Sequence, residues 1–221
     1  MSTADQTSFP TIGDHFVYFG NLFPGEPQYK SGLFYGLALH PQFDRDIAHD
    51  AAKKMPFEDG SIKGFQSQDV FEHIPYKSVA GIFDDVFRCL RVGGIFRLSL
   101  PDYHSPLLRS RSAYDSEGRI LCDLAMGGSL SAEMNGGIRV SFTGRSGDAH
   151  LWFPTYANLA HLILSSDLRK CTTIKLQHGW IDAHHWICER FDQRLMPVAR
   201  TPPRDMRAGG KPVSLVVDFI K

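Results

Sequence analysis

Residues 55–102 read MPFEDGSIKGFQSQDVFEHIPYKSVAGIFDDVFRCLRVGGIFRLSLPD, and this stretch decides the fold. It parses as a turn, a buried strand over 64–67, a loop, an amphipathic helix over 78–91, a double glycine and a second buried strand over 95–100. Pro101 ends that strand and Asp102 follows it. Val79, Ile82, Phe83, Val86, Phe87 and Leu90 recur at helical spacing and make one apolar stripe. Asp84 and Arg88 stand four apart on the other face, the spacing of a weak surface pair. Gly93-Gly94 reads as a left-handed helix stop. Strand, helix and strand in this order form the second part of a doubly wound α/β sheet. Ligands of such a sheet sit just past the strand ends.

Upstream, residues 1–14 read as a loose lead-in, and FVYF at 16–19 as a first strand running into Gly20-Asn21. Residues 21–30 hold Pro24, Gly25 and Pro27 and read as loop. A second strand is expected over 33–39 and a short third over 46–49, running toward Asp50. Downstream, a helix is expected over 155–164 with Thr155 as its N-cap, then strands over 172–176 and 213–220. Residues 103–149 are rich in Gly, Ser, Arg and Asp and are too long for an ordinary connection. They read as a lid or substrate-binding insertion. The expectation is one domain over 1–221: a Rossmann-like, doubly wound, mostly parallel sheet with helices on both faces and a long insertion after the fifth strand.

Lys+Arg and Asp+Glu both number 24, and no single-sign block stands out. That balance argues against binding nucleic acid by bulk phosphate attraction. The four cysteines are scattered without a CxxC pair, which suits reduced thiols rather than a zinc knuckle. No run approaches the roughly 18 apolar residues of a membrane span, and no signal peptide is read at the N-terminus. A cytoplasmic protein with no membrane partner is therefore expected. His185 and Glu189 in HHWICE have helical i, i+4 spacing, but three or four convergent metal ligands are not readable, so no metal is expected.

Three stretches carry a resemblance. MPFEDGSIKGFQSQDVFEHI, FRCLRVGGIFRLSLPDY and HLWFPTYANLAHLILSSDLRKCTTIKL resemble, in order and spacing, segments of the class I S-adenosylmethionine-dependent methyltransferases. They are most similar to the small domains linked to glycan or polysaccharide biosynthesis, and the closing SLVVDFIK resembles the strand that ends such domains. The resemblance implies S-adenosyl-L-methionine as cofactor and a small-molecule or glycan acceptor methylated on a hydroxyl or amine. It implies cofactor contacts from Gly20 and Asn21 in the first turn, from Asp50 and Ala51 after the third strand, and from Ser67 and Gln68 at the end of the fourth. The family's first turn is richer in glycine than FVYFGN. The acid that ends its second strand, which binds the ribose, is replaced here by Ala38.

Asp69 and His73 stand four apart after the fourth strand and would share a face if a helical turn forms. His73 then takes a proton from a hydroxyl, oriented by Asp69; packing at a helix start is the alternative. Asp102, Tyr103 and His104 leave the fifth strand where substrates bind in such sheets, although a Pro-Asp turn accounts for them equally. Arg109 in the insertion can grip an anionic group, as can Arg111; Arg200, Asp205 and Arg207 invite a similar reading. His150 and Trp152 offer an acceptor surface or, alternatively, a core lid. Two further functions stay open: a methyltransferase-like binding or regulatory protein without turnover, favoured by Ala38 and the thin glycine turn, and a dinucleotide-dependent oxidoreductase, disfavoured because no GxGxxG follows a strand.

Overall fold

The computed structural model describes residues 13–142, 148–189, 191, 196–198 and 209–221. Most of the lead-in, the residues 143–147, and Arg200, Asp205 and Arg207 lie outside the described residues.

In chain order the body comprises strand β1 (Phe16–Phe19), a one-turn helix α1 (Pro27–Lys30), β2 (Phe34–Ala38), β3 (Asp46–Ala48) and β4 (Ile62–Gln68). A 3-10 turn (Phe71–His73), helix α2 (Tyr76–Cys89) and β5 (Leu90–Pro101) follow. The insertion holds α3 (Pro106–Ser110), β6 (Ser112–Tyr114), β7 (Ile120–Asp123), β8 (Gly128–Ala132) and β9 (Ile138–Phe142). Helix α4 (Tyr156–Leu164), β10 (Thr173–Trp180), β11 (Trp186–Cys188) and β12 (Ser214–Ile220) complete the chain. One sheet runs in the order β11-β10-β12-β5-β4-β1-β2-β3. The five strands from β3 to β5 are mutually parallel, and β12 is antiparallel to both its neighbours. This is the expected doubly wound sheet. Among the described residues no helix is long and apolar enough to cross a membrane.

Alternation along the strands sorts side chains between two unlike faces. Val17, Phe19, Phe65, Phe96, Leu98, Val217 and Phe219 join the buried stripe Val79, Ile82, Phe83 and Val86 of α2 and Leu159 and Leu162 of α4 in the main core. The other face carries Phe16, Tyr18, Phe34 and Met196, with a buried polar layer beside them. There Arg97 grips Asp218 with two bonds of 2.7 Å and donates to Met196 O at 2.6 Å. Gln66 and Gln28 both donate to Pro197 O, at 2.6 and 2.7 Å. Residues 196–198 thus lie over this face, held by side chains of β4, β5 and α1. Helix α1 reaches this face through Gln28. Proline and glycine at 24, 25 and 27 keep that helix to one turn, with Pro27 at its start, where the missing N–H costs nothing.

Several local expectations are corrected. Helix α2 ends at Cys89, before the double glycine; Gly93, at φ +73°, lies in an irregularity where β5 begins to pair with β4. Arg88 pairs with Asp85 (2.6 Å) and Asp59 (2.7 Å) rather than with Asp84, which accepts from Asp167 N instead. Residues 186–188 are strand, so His185 and Glu189 share no helical face. His185 bonds Asp182 and Glu189 pairs with Lys175. Thr155 does cap α4, in a reciprocal pair with Asn158. The described residues of the insertion hold α3 and two small antiparallel ribbons, β6-β7 and β8-β9.

Candidate active site

A cavity of about 730 Å³ opens at the carboxyl ends of β1 to β4. That is the size of an ordinary small-molecule site. It lies where strand order reverses between β1 and β4, the switch point of a doubly wound sheet. Gly20 and Asn21 line it after β1, Ala38 to His40 and Gln42 after β2, His49 to Ala51 after β3, and Asp69, Val70, His73 and Ile74 after β4; Asp148 adds a further acid.

Gly20 has φ +106°, so the chain leaves β1 by a backbone path that only glycine follows without strain. Among the described residues Asp69 is the one non-glycine residue with positive φ, at +52°. Such conformations cost of order 1–3 kcal/mol and cluster at ligand sites.

Asp46, at the start of β3, holds the turns that follow β1 and β2. Its Oδ1 accepts from Leu22 N at 2.9 Å, and its Oδ2 accepts from Gln42 N and Phe43 N at 3.0 Å. With its amide oriented to satisfy both ends, Asn21 donates to Asp46 Oδ2 and His40 O, each at 3.0 Å. One carboxylate thus ties the turn after β1 to the turn after β2. The Asn21 side chain is spent on that tie, so its contribution to a ligand comes from where it places the backbone.

Asp50 lines the cavity while its Oδ1 caps the next turn at Ala52 N (2.9 Å). Ala51 lines the cavity and packs on the core. Ser67 is buried within β4, and Gln68 donates to Tyr18 Oη at 3.2 Å; neither lines the cavity. Ala38 leaves the end of β2 without an acid, and the polar side chains nearby are His40, Gln42 and His49.

Asp69 and His73 both reach the cavity, but no helical face joins them. A 3-10 turn intervenes, and the group bonded to His73 Nδ1 is the carbonyl of Ala149, at 3.0 Å. Burial pulls the His73 pKa below the usual histidine value, against the opposing pull of that carbonyl and Asp148.

The expected acceptor residues fall elsewhere. Asp102 is fully buried and accepts from His104 N and Trp180 N, fastening the end of β10 to the exit of β5. Trp152 is buried and donates to Phe71 O at 2.8 Å, which makes it the core lid rather than an acceptor platform. His104 is half-buried, with its pKa lowered by burial and by Arg109. Arg109 is exposed at the end of α3, away from the cavity lining. Tyr103 and His150 are buried in a polar chain. Arg111 pairs with Asp123, Tyr103 Oη donates to Asp123 Oδ2 at 2.6 Å, and His150 Nδ1 lies 2.5 Å from Tyr103 Oη. This chain anchors the insertion to the body. No spacing in the sequence brings Asp123, Glu72 and Asp46 to these partners.

Residues 37–98 match a protein family described as a methyltransferase domain, which covers under a third of the chain. No curated protein matches. Among solved structures, an S-adenosylmethionine-dependent methyltransferase from Archaeoglobus fulgidus superposes with a TM-score of 0.53 at 9% identity, over 96% of this chain and 87% of that one. One from Methanosarcina mazei gives 0.47 at 16%, over 96% and 94%, and one from Mesorhizobium loti gives 0.47 at 14%, over 96% and 93%. The fold is therefore the Rossmann-like α/β fold of S-adenosylmethionine-dependent methyltransferases.

Proposed function

We propose that the chain is an S-adenosylmethionine-dependent methyltransferase whose donor binds in the cavity at the ends of β1 to β4. The observation that carries this reading is the position of that cavity. It lies at the switch point, walled by Gly20 at positive φ, Asp50 and Asp69, and much of it falls within the span that matches a methyltransferase domain. Gly20 lets the backbone come close to the donor. Asp50, Ala51 and the backbone of Asn21 contact it, and His40, Gln42 and His49 stand where Ala38 offers no acid. When bound, S-adenosylmethionine supplies a sulfonium methyl group for in-line displacement.

The chain's own work is positioning and exclusion of water. The acceptor is a hydroxyl or amine of a small molecule or sugar, approaching past Asp69 and His73, with the insertion over 103–149 shaping the pocket around it. For an oxygen nucleophile, His73 is the proton acceptor. Its Nδ1–H is held by Ala149 O, which leaves the lone pair on Nε2. Ala38 and the one-turn α1 favour a second reading, a methyltransferase-like binding or regulatory protein without turnover.

Calorimetry with S-adenosylmethionine and with its demethylated product tests donor binding. We expect micromolar binding that falls at least tenfold in Asp50→Asn, which keeps the turn cap and removes the charge. No binding at millimolar ligand refutes the methyltransferase reading. Donor binding without release of demethylated product across a panel of sugar, hydroxyl and amine acceptors supports the second.

A further inference from the structure

We infer that Glu72, His73 and His150 form a binding site for one first-row divalent transition-metal ion of the zinc class. The three residues come from the turn after β4 and from the segment before α4. They are the one group of three or more such side chains among the described residues whose ligand atoms converge, all lying within 4.8 Å of one another. Glu72 Oε1 lies 3.8 Å from His73 Nε2 and 3.6 Å from His150 Nε2. Ligand atoms at zinc distances of 2.0–2.2 Å in a tetrahedron stand about 3.4 Å apart. The two sides that meet at Glu72 close on an ion with shifts of a few tenths of an ångström, and the two imidazoles, within 4.8 Å of each other, draw together on binding.

The protonation pattern of the two imidazoles is the second observation. His73 Nδ1 faces the Ala149 carbonyl at 3.0 Å, which only accepts, so Nδ1 carries the proton. Tyr103 Oη gives its hydrogen to Asp123, an acceptor already held by Arg111, so the phenol oxygen accepts from His150 Nδ1–H. With their Nδ1 atoms spent on these bonds, both rings turn Nε2 toward the same buried carboxylate. This is how metal-binding histidines are prepared: the far nitrogen donates to a carbonyl or to a carboxylate-anchored group, which fixes tautomer and orientation. Two histidines and a glutamate are also the ligand set of hydrolytic zinc sites that keep one position open. Of the three residues only His73 lines the cavity, so the open position faces it and takes water or an acceptor's oxygen. Loaded, His73 Nε2 is a ligand and not a base.

Titration of chelator-treated protein with zinc against a chromophoric competitor tests this without donor or acceptor present, so its outcome is independent of donor binding; a positive result moves His73 from base to ligand. One equivalent of zinc should bind at micromolar affinity or tighter. His73→Ala and Glu72→Gln should weaken binding at least tenfold, and Tyr103→Phe 10- to 100-fold, the usual effect of losing an outer partner. His185→Ala, at the exposed Asp182 turn, should change nothing. Imidazole nitrogen resonances of the unaltered protein give a readout free of variant folding. Those of His73 and His150 should shift with the first equivalent of zinc. Absence of stoichiometric binding, equal affinity in folded His73→Ala, or shifts confined to His184 and His185 would overturn the assignment.

Discussion

Replacing Asp46 by alanine should loosen the cavity while leaving the sheet intact. The carboxylate accepts from three backbone N–H groups, Leu22, Gln42 and Phe43, at 2.9–3.0 Å. It also meets the Asn21 amide. Hydrogen bonds to a charged group contribute about 1.5–3 kcal/mol each. Asp46 is only partly buried, so water recovers much of that on truncation. A net cost of about 2–4 kcal/mol follows, at or above the largest single helix-cap losses of about 2 kcal/mol, because three N–H groups lose their acceptor at once. For a chain of this size that lowers Tm by about 5–15 °C. The donor must then order two loops that the wild type holds ready, so its affinity should fall at least tenfold, about 1.4 kcal/mol. Gly36→Ala should act in the same direction, because its Cβ would sit 2.3 Å from Asp46 Oδ1. Thermal unfolding and donor calorimetry on both variants measure these effects. An Asp46→Ala protein with unchanged Tm and unchanged affinity would refute the claim that this carboxylate builds the site.

Asp218→Ala leaves Arg97 buried beside a lost partner and should cost about 3–5 kcal/mol, whereas Arg97→Met combined with Asp218→Leu should recover most of it; denaturant titration of the three variants decides. Gly20→Ala has room for its Cβ, 3.6 Å from Val70, but not the backbone freedom, so we expect a loss of about 1–3 kcal/mol and weaker donor binding. Burial pushes the Cys89 thiol up to about 12, and Cys122 is also raised. Iodoacetamide at pH 8 should therefore leave both unmodified in the folded protein and label them on unfolding, which mass spectrometry reads directly.

Periodicity made the sheet readable. The stripe of α2 and the apolar runs of β1, β2, β4, β5 and β12 follow from spacing alone, and the Thr155 cap follows from residue type. Boundaries moved where tertiary pairing overrode local signals. Gly93 resembles a helix stop but bends β5, because Leu90 already pairs with Ile62. The ribbon β8-β9 carried a hairpin signal in Asn135-Gly136, flanked by alternating residues. The cavity wall was partly legible, since Gly20, Asp50, Asp69 and His73 stand at strand ends. Asp102 and Tyr103 stand at a strand end too, yet β10 and the insertion cover them. Strand-end position is visible in a sequence, while what packs over it is set by elements far along the chain. Glu72 illustrates the same limit, meeting His150 only because α4 and the insertion bring residue 150 back to the turn after β4.

Hydrogen exchange with and without saturating demethylated cofactor tests the central claim, that this cavity is the donor site. Exchange should slow in residues 20–22, 38–42, 49–53 and 69–74, with the sheet interior unchanged. Protection confined to another surface, such as the apolar groove between α4 and β10, or no protection at millimolar ligand, would contradict it.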